Sequence, residues 1–259
     1  RLNYVNDQFM IDLLVWYHLV WMAESVRRSD VRIQALMKKG RLYTFHDRRQ
    51  LMMVIGELLS DLIPRYKRLA ESGRVELSVT PYAHPIMPLL LDINTTLEAM
   101  PDAVLPEITH YPGGQARAHW HMEEGLRVFE SFFGFRPKGC WPSEGAVSEE
   151  ALSVIAEHGF ECAATGENVL RNSLKLSDMA DANIHKPYKL PGASPACFFR
   201  DDGLSDMIGF IYTKWGADDA VNDFIHHLLN IKKNTEGDPD RVVSVILDGE
   251  NAWEYYSYN

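Results

Sequence analysis

Two carboxylates follow the last apolar run of the chain. Residues 241–247 are rich in β-branched apolar side chains and predict a buried strand, and Asp248 and Glu250 come directly after it, with Trp253 close behind. In parallel α/β folds, ligand-binding residues collect at the carboxyl ends of the strands. A carboxylic acid in that position acts as a general acid when its surroundings favour the protonated form. An Asp-Gly turn or a metal ligand is the alternative interpretation of the same residues.

A second acid lies beyond another predicted strand, which covers residues 136–141. Glu144 follows the Trp141-Pro142 pair and precedes a helix predicted for residues 146–158. Its functional interpretation is a nucleophile at the strand end, with the Trp141 indole forming a wall of the site. The structural alternative is a residue that only favours the positive end of the helix dipole. Two acids at separate strand ends, each beside an indole, indicate a site that cleaves or transfers sugars.

Three further polar residues lie at or near the ends of predicted strands. His84 is held stiffly between prolines after a strand predicted for residues 74–80, and it suits a contact with a sugar hydroxyl. Arg200 ends the strand predicted for residues 196–200, and Asp206 follows in a helical segment. This pair could bind substrate or form an exposed salt bridge. The candidate substrate-binding residues are therefore His84, Trp141, Arg200, Asp206, Glu250 and Trp253.

Histidines raise the alternative of a metal site. His119 and His121 have the spacing that binds zinc on a strand, and His84 with Asp248 could complete the site of a metal-dependent hydrolase. Residues 114–133 have a helical pattern, however, and side chains two positions apart on a helix point away from each other. We therefore expect no metal and no other cofactor.

The composition is that of an ordinary globular protein without a polyanionic partner. The 259 residues are 46% hydrophobic and 24% charged, and 26 basic against 36 acidic side chains give a net charge of −10. No basic stripe is present, so we expect neither nucleic acid nor an anionic membrane as a partner. The longest apolar stretch is too short to span a bilayer and no targeting segment is visible, which favours a cytoplasmic location. Three cysteines without CxxC spacing are expected to be reduced structural thiols.

Helix and strand patterns alternate along the chain. Residues 7–27 are apolar almost all round and predict one core helix, whereas residues 166–195 have no clear period and predict an irregular excursion. Further helices are predicted for residues 31–39, 204–214 and 217–234, and a further strand for residues 160–165. Another amphipathic helix is predicted from Leu51 onwards, with a kink at Pro64 and Gly73 as its C-cap. This alternation without repeats or linkers predicts an α/β fold, either a parallel barrel or a doubly wound sheet. The succession of strand, loop and acid favours the barrel.

Two motifs are long enough to be specific for a family. They are residues 141–148 (WPSEGAVS) and residues 246–256 (ILDGENAWEYY). Shorter segments that support them are residues 12–17, 75–76, 80–90, 199–201 and 204–210. Together these residues strongly resemble glycoside hydrolase family 57, most closely its amylopullulanase and α-amylase-like branch. The resemblance covers nearly the whole chain.

The resemblance implies an incomplete seven-stranded (β/α) barrel that acts on α-linked glucans with retention of configuration. By the match of motifs, Glu144 is the nucleophile and Asp248 the general acid/base of a double displacement, which requires the two carboxyl groups to lie about 5–5.5 Å apart. The implied partner is an α-glucan polysaccharide or oligosaccharide with α-1,4 or α-1,6 links. The candidates are Trp141 and Trp253 for stacking on glucose faces, and His84 and Glu250 for hydrogen bonds to hydroxyl groups.

The sequence departs from the family pattern in two places. The His-Gln-Pro motif that ends the family's first barrel strand is absent, and the family's last motif would lie beyond residue 259. We therefore expect residues 1–259 to be a single catalytic barrel domain from a longer chain, with the presence of the first strand in question. The alternatives are a 4-α-glucanotransferase with the same residues, a metal-dependent polysaccharide deacetylase or hydrolase, and a non-catalytic glucan-binding fragment. The sequence leaves linkage specificity and oligomeric state open.

Overall fold

The chain folds into two compact units. The computed structural model describes residues 5–108, 110–176, 183–192, 195–249 and 255–256. One unit contains the described residues up to Ser72 together with Tyr256, and the other runs from Gly73 to Tyr255. The first is helical and the second combines helices with a parallel sheet. Within the described ranges, no helix has both the length and the apolar character needed to cross a bilayer.

Helices α1 to α4 make up the first unit. They are α1 (Asp7–Val20), α2 (Glu24–Ser29), α3 (Val31–Lys39) and α4 (Phe45–Glu71). Gly40 ends α3 in the left-handed conformation, as its sequence position predicts. The core of this unit is apolar and consists of Val15, Leu19, Met22, Ile33, Leu36, Tyr43, Leu51 and Val54.

The single core helix predicted for residues 7–27 is wrong in two respects. The helix ends at Val20, and a second helix starts only at Glu24. Burial is also one-sided, because the side chains of Leu13 and Tyr17 remain 53% and 57% exposed. Polar contacts fix the inward face: Asp12 accepts hydrogen bonds from the backbone N–H groups of the turn before α4, both at 2.9 Å. The apolar sequence pattern shows how much apolar surface the helix has, but not which part of that surface packs against the other helices.

The second unit is built on a parallel sheet in the order β1-β2-β3. The strands are β1 (Gly139–Cys140), β2 (Cys162–Gly166) and β3 (Ala196–Arg200). Isolated parallel bridges add Val79 beside Cys140 and Ser244 beside Arg200. Five parallel segments therefore follow one another across the sheet, which confirms a mixed α/β fold. The strands predicted for residues 74–80 and 241–247 are shorter than expected, because each pairs in parallel at one residue.

Helices surround this sheet. They are α5 (Met87–Leu91), α6 (Thr96–Ala99), α7 (Gly114–Phe133), α8 (Glu149–Glu157), α9 (Glu167–Leu176), α10 (Asp202–Asp206) and α11 (Ala217–Asn234). The predictions for residues 114–133 and 217–234 are confirmed. Helix α9 contradicts the irregular excursion predicted for residues 166–195. Leu170 and Leu174, one turn apart, pack into the core there, and the prolines that indicated a loop come later in the segment.

The two faces of the sheet have different surroundings. Ala163 and Phe199 point to the core that the helices form, whereas Ala164, Gly166 and Arg200 line a cleft. This division follows from the alternation of side chains along a strand.

Cys140 and Cys197 belong to the core side, Cys162 is half-buried, and none of the three forms a disulfide. Burial raises the pKa of Cys140 to about 12 and that of Cys197 to about 11. Both therefore stay protonated at neutral pH, as expected for structural thiols.

Candidate functional site

An open cleft of about 1370 Å³ lies at the carboxyl ends of the parallel segments. Of the predicted site residues, His84, Trp141, Glu144, Arg200 and Asp248 all line it. Asp206 is not among the lining residues and contacts Arg200 from outside the cleft. The other two predicted site residues, Glu250 and Trp253, lie outside the residues that the structure describes. The structure thus brings together the two acids that the sequence places about one hundred residues apart.

Glu144 is presented to the cleft by a tight turn after β1. Residues Ser143–Gly145 form one 3₁₀ turn, in which Glu144 has φ 56° and Gly145 has φ 65°. A left-handed conformation is uncommon for a residue with a Cβ and costs about 1–3 kcal/mol. The Glu144 side chain is 73% exposed, so the strain is not offset by burial of this side chain. Such strain clusters at functional sites.

Strand β2 stabilises this turn through the side chain of Thr165. Thr165 is 1% exposed, and its Oγ1 donates a hydrogen bond of 2.5 Å to the backbone oxygen of Gly145. A side chain at position 145 would meet the Trp141 ring at 3.5 Å. That distance is an ordinary van der Waals contact, so it is the left-handed conformation that favours glycine at this position.

Removal of the Thr165 hydroxyl is expected to destabilise this turn. In Thr165→Val the buried Gly145 oxygen loses its partner, which should lower the free energy of unfolding by about 1–3 kcal/mol. Denaturant unfolding measures the change. The control is Thr95→Val, which removes a 2.8 Å bond to Asp92 O from a half-buried position and should cost less. Equal losses in the two variants would contradict a special role for the buried bond.

His84 approaches Glu144 from a neighbouring turn. Ala83 and His84 both have positive φ, at 58° and 56°. His84 Nε2 lies 3.7 Å from Glu144 Oε1, and its side chain is 51% exposed. Two strained turns, one after Val79 and one after β1, thus place an imidazole and a carboxylate side by side.

Helix α7 supports the turn that carries His84. The backbone N–H of Tyr82 donates to His121 O at 3.0 Å, and His121 Nδ1 donates to Tyr82 O at 2.7 Å. The helix can come this close because residue 125 is a glycine, where a Cβ would lie 3.2 Å from Tyr82 N. The sequence suggests His121 only as a member of the alternative metal site and gives no sign of this supporting role.

Arg200 joins the cleft to the segment that carries Asp248. Its Nε donates to Ile246 O at 2.9 Å, while its terminal nitrogens bind Asp202 at 2.5 Å and Asp206 at 2.6 Å. Burial disfavours the guanidinium charge, but these hydrogen bonds to Asp206 and Asp202 raise the pKa of Arg200. Arg200 therefore stays positively charged at the cleft, paired with Asp202 and Asp206.

A His–Asp pair next to Arg200 went unnoticed in the sequence. His185 Nε2 lies 3.1 Å from Asp201 Oδ2, and both side chains are largely buried. Asp201 also caps α10 by accepting a hydrogen bond from Leu204 N at 2.9 Å. Burial opposes its charge, but the bonds from His185 and Leu204 lower the pKa of Asp201 below its usual value. The position of Asp201 at a helix start can be seen in the sequence. Its partner His185 cannot, because it comes from the segment predicted as irregular, residues 166–195.

The lowered pKa of Asp201 makes the free energy of unfolding depend on pH. Asp201 ionises at about pH 4 when unfolded and at a lower pH when folded, so its contribution is complete above about pH 4 and disappears as the pH falls through the folded pKa. The difference in unfolding free energy between wild type and Asp201→Asn should therefore shrink between pH 6 and pH 3. Urea unfolding at several pH values measures it. A constant difference would contradict this origin, and the exposed Asp240→Asn serves as control.

The histidines of the alternative metal site contact separate partners. His119 lies 3.8 Å from Glu157 Oε2 and beside His158, whereas His121 binds Tyr82 O. Over the ranges that the structure describes, no group of three or more His, Cys, Asp or Glu side chains is arranged to hold a metal ion.

An apolar wall of the cleft was also missed. It comes from one face of α7, which the sequence predicts only as a helix, and consists of Gly125, Val128, Phe129, Phe132 and Phe133. The available signal in the sequence was the group of phenylalanines at the end of the helix, of which Phe132 is exposed.

Two solved structures have a similar fold. A GH57 branching enzyme from Thermococcus kodakaraensis, in complex with glucose, matches with a TM-score of 0.55 and 14% identity over 97% of this chain and 52% of that chain. A GH57-type branching enzyme from Pyrococcus horikoshii matches with a TM-score of 0.53 and 16% identity over 91% of this chain and 48% of that chain. This chain therefore spans about half the length of each. At these identities the likeness is one of fold.

The family is shown by the sequence itself. No curated protein matches the chain, but the sequence profile described as Glycosyl hydrolase family 57 matches residues 20–259. That range crosses both compact units and includes all five predicted residues that line the cleft. The resemblance carried by residues 141–148 and 246–256 is thereby confirmed, while the amylopullulanase-like branch stays a prediction. The chain belongs to glycosyl hydrolase family 57.

Proposed function

We propose that this chain is a retaining enzyme that acts on α-glucans by double displacement, with Glu144 as the nucleophile and Asp248 as the general acid/base. The observation that carries the proposal is that both carboxylates line one open cleft at strand ends in a member of family 57. A retaining pair needs its carboxyl groups about 5–5.5 Å apart, which acids from separate strand ends can provide.

The reaction has two steps in this proposal. Glu144 attacks the anomeric carbon while Asp248 protonates the oxygen of the leaving glucan, and a covalent glycosyl-enzyme forms. Asp248 then removes a proton from the incoming acceptor, which displaces Glu144. His84, 3.7 Å from the Glu144 carboxylate, orients that group and can bind a sugar hydroxyl. Its position on a strained turn keeps it beside the reacting atoms.

The remaining cleft residues bind the substrate. The Trp141 indole, which packs against Gly145, offers a surface for a glucose ring, and Arg200 faces the cleft with hydrogen-bonding capacity for hydroxyl groups. Asp206 acts through its ion pair with Arg200. The substrate contacts of Glu250 and Trp253 remain predictions from sequence.

Hydrolysis and transfer share the first step of this mechanism. They differ in whether water or a second glucan displaces Glu144, and the exposure of this side chain leaves room for either acceptor. The two similar solved structures are branching enzymes. Incubation with amylose, followed by linkage analysis, separates the candidates: new α-1,6 links indicate branching, new α-1,4 chains indicate 4-α-glucanotransfer, and reducing ends alone indicate hydrolysis.

The architecture that we propose for this function is an incomplete seven-stranded (β/α) barrel forming a single catalytic domain. Five parallel segments whose carboxyl ends meet at one cleft support it, as does a family match that crosses both compact units. An experimental structure with an open, doubly wound sheet would overturn the barrel.

The stereochemistry of the product tests the mechanism. Proton NMR of the first product from maltoheptaose should show the α anomer before mutarotation sets in, because two inversions give retention. A β anomer as first product would overturn double displacement. Binding of maltoheptaose without any turnover would instead support the glucan-binding fragment.

A further inference from the structure

The segment that carries Asp248 is held mainly by contacts other than a regular sheet ladder. Over residues 241–247, pairing with β3 is limited to one bridge at Ser244, whose backbone oxygen accepts a hydrogen bond of 2.9 Å from Asp201 N. Nearer to Asp248, both backbone groups of Ile246 bind side chains. A regular ladder of backbone hydrogen bonds would hold the strand end by itself, but here side chains hold it.

Two side chains bind the backbone of Ile246, one at its C=O and one at its N–H. Arg200 Nε donates to Ile246 O at 2.9 Å. Ser205 Oγ accepts from Ile246 N at 3.2 Å and donates to Asp201 O at 2.6 Å. Ser205 is 0% exposed, and its hydroxyl has one proton to donate, so the direction of both bonds is determined.

We propose that Ser205 is a positioning residue for Asp248. Its hydroxyl connects the backbone after β3 to the backbone two residues before Asp248, and so sets where the Asp248 carboxyl meets the leaving oxygen. Ser205 does not line the cleft, so its effect passes through Ile246. This inference rests on the proposed function, in which Asp248 is the general acid.

A positioning role has a signature that a purely structural role lacks. Proton donation matters for a poor leaving group such as a sugar hydroxyl and matters little for fluoride, which leaves as an anion. A displaced Asp248 should therefore impair cleavage of maltoheptaose while sparing α-maltosyl fluoride. Glu144 attacks the anomeric carbon in both reactions, so general damage to the cleft would slow both.

The test compares kcat/KM on the two substrates in Ser205→Ala and wild type. We expect kcat/KM to fall about 10- to 100-fold with maltoheptaose, since a displacement of the Asp248 carboxyl by about 1 Å can cost up to about 100-fold. With α-maltosyl fluoride we expect a loss of less than about threefold. The matched control is Ser153→Ala, which removes a 3.0 Å bond to Glu149 O on α8 and should change neither value. Equal losses on the two substrates, or none, would overturn the proposal.

Asp248→Asn, measured in parallel, separates the inference from the proposed function. If Asp248→Asn loses activity selectively on maltoheptaose and Ser205→Ala does not, the inference fails and the function stands. If Asp248→Asn shows no selective loss, the assignment of Asp248 fails. Should Ser205→Ala not fold, Ser205→Cys replaces it, because a thiol fills the space but forms only weak hydrogen bonds, and it must show the same selective loss.

Discussion

Glu144→Gln is expected to lower kcat on maltoheptaose by about 10⁴-fold or more, since the loss of a nucleophile removes the covalent route. The amide keeps the size of the side chain but cannot form the glycosyl ester. Because the Glu144 side chain is 73% exposed and makes no buried bond, the free energy of unfolding should change by less than about 0.5 kcal/mol. Initial rates and denaturant unfolding measure the two quantities.

A neighbouring acid provides the control for this variant. Glu150→Gln changes an exposed acid in the first turn of α8 and should retain wild-type kcat. Azide offers a further check: with Glu144→Ala it should attack the vacated face of an activated α-glycoside and give the β-glycosyl azide. A Glu144→Gln enzyme with a substantial fraction of wild-type kcat would remove Glu144 from the mechanism.

Asp248→Asn is expected to have the second largest effect. General acid catalysis contributes about 10²- to 10⁴-fold, so kcat/KM on maltoheptaose should fall within that range. With α-maltosyl fluoride the loss should be far smaller, because fluoride leaves as an anion and needs no proton from Asp248.

The exposed Asp240 is the matched control for Asp248, because it lies just before the other end of the same segment. Asp240→Asn should leave kcat/KM on both substrates unchanged. Equal loss on the two substrates in Asp248→Asn would show that Asp248 serves the site in a way other than proton transfer.

The location of the site could be predicted from sequence because it depends on local signals. An apolar β-branched run that ends at an acid marks a strand end, and the strand ends of a parallel sheet meet on one side. This placed Glu144 and Asp248 in one cleft without knowledge of the strand order. The motifs at residues 141–148 and 246–256 then identified the family, which composition and periodicity alone do not specify.

Contacts between distant segments could not be predicted in the same way. The partner of Asp201 is His185, sixteen residues earlier, and the partner of Ile246 N is Ser205, forty-one residues earlier. Neither pair has a local pattern. The left-handed conformations of His84 and Glu144 were likewise invisible, because sequence favours glycine or asparagine at such positions and these residues are neither.

Errors in the elements have related causes. Helix α1 is apolar all round in sequence, yet Asp12 fixes one face inwards through its hydrogen bonds to the turn before α4. The strand at residues 241–247 pairs in parallel at one residue because Arg200 and Ser205 take over the backbone groups of Ile246. In both places a polar side chain, rather than the apolar pattern, determines the local structure.

Covalent trapping tests most directly whether Glu144 is the nucleophile of a retaining enzyme. A 5-fluoro-α-maltosyl fluoride combines a good leaving group with a ring fluorine that slows both steps, so the glycosyl-enzyme should accumulate. Peptide mass mapping should then find the added sugar on Glu144, within the peptide that contains residues 141–148. A sugar attached to another acid, or turnover with inversion and no adduct, would contradict the mechanism proposed for this cleft.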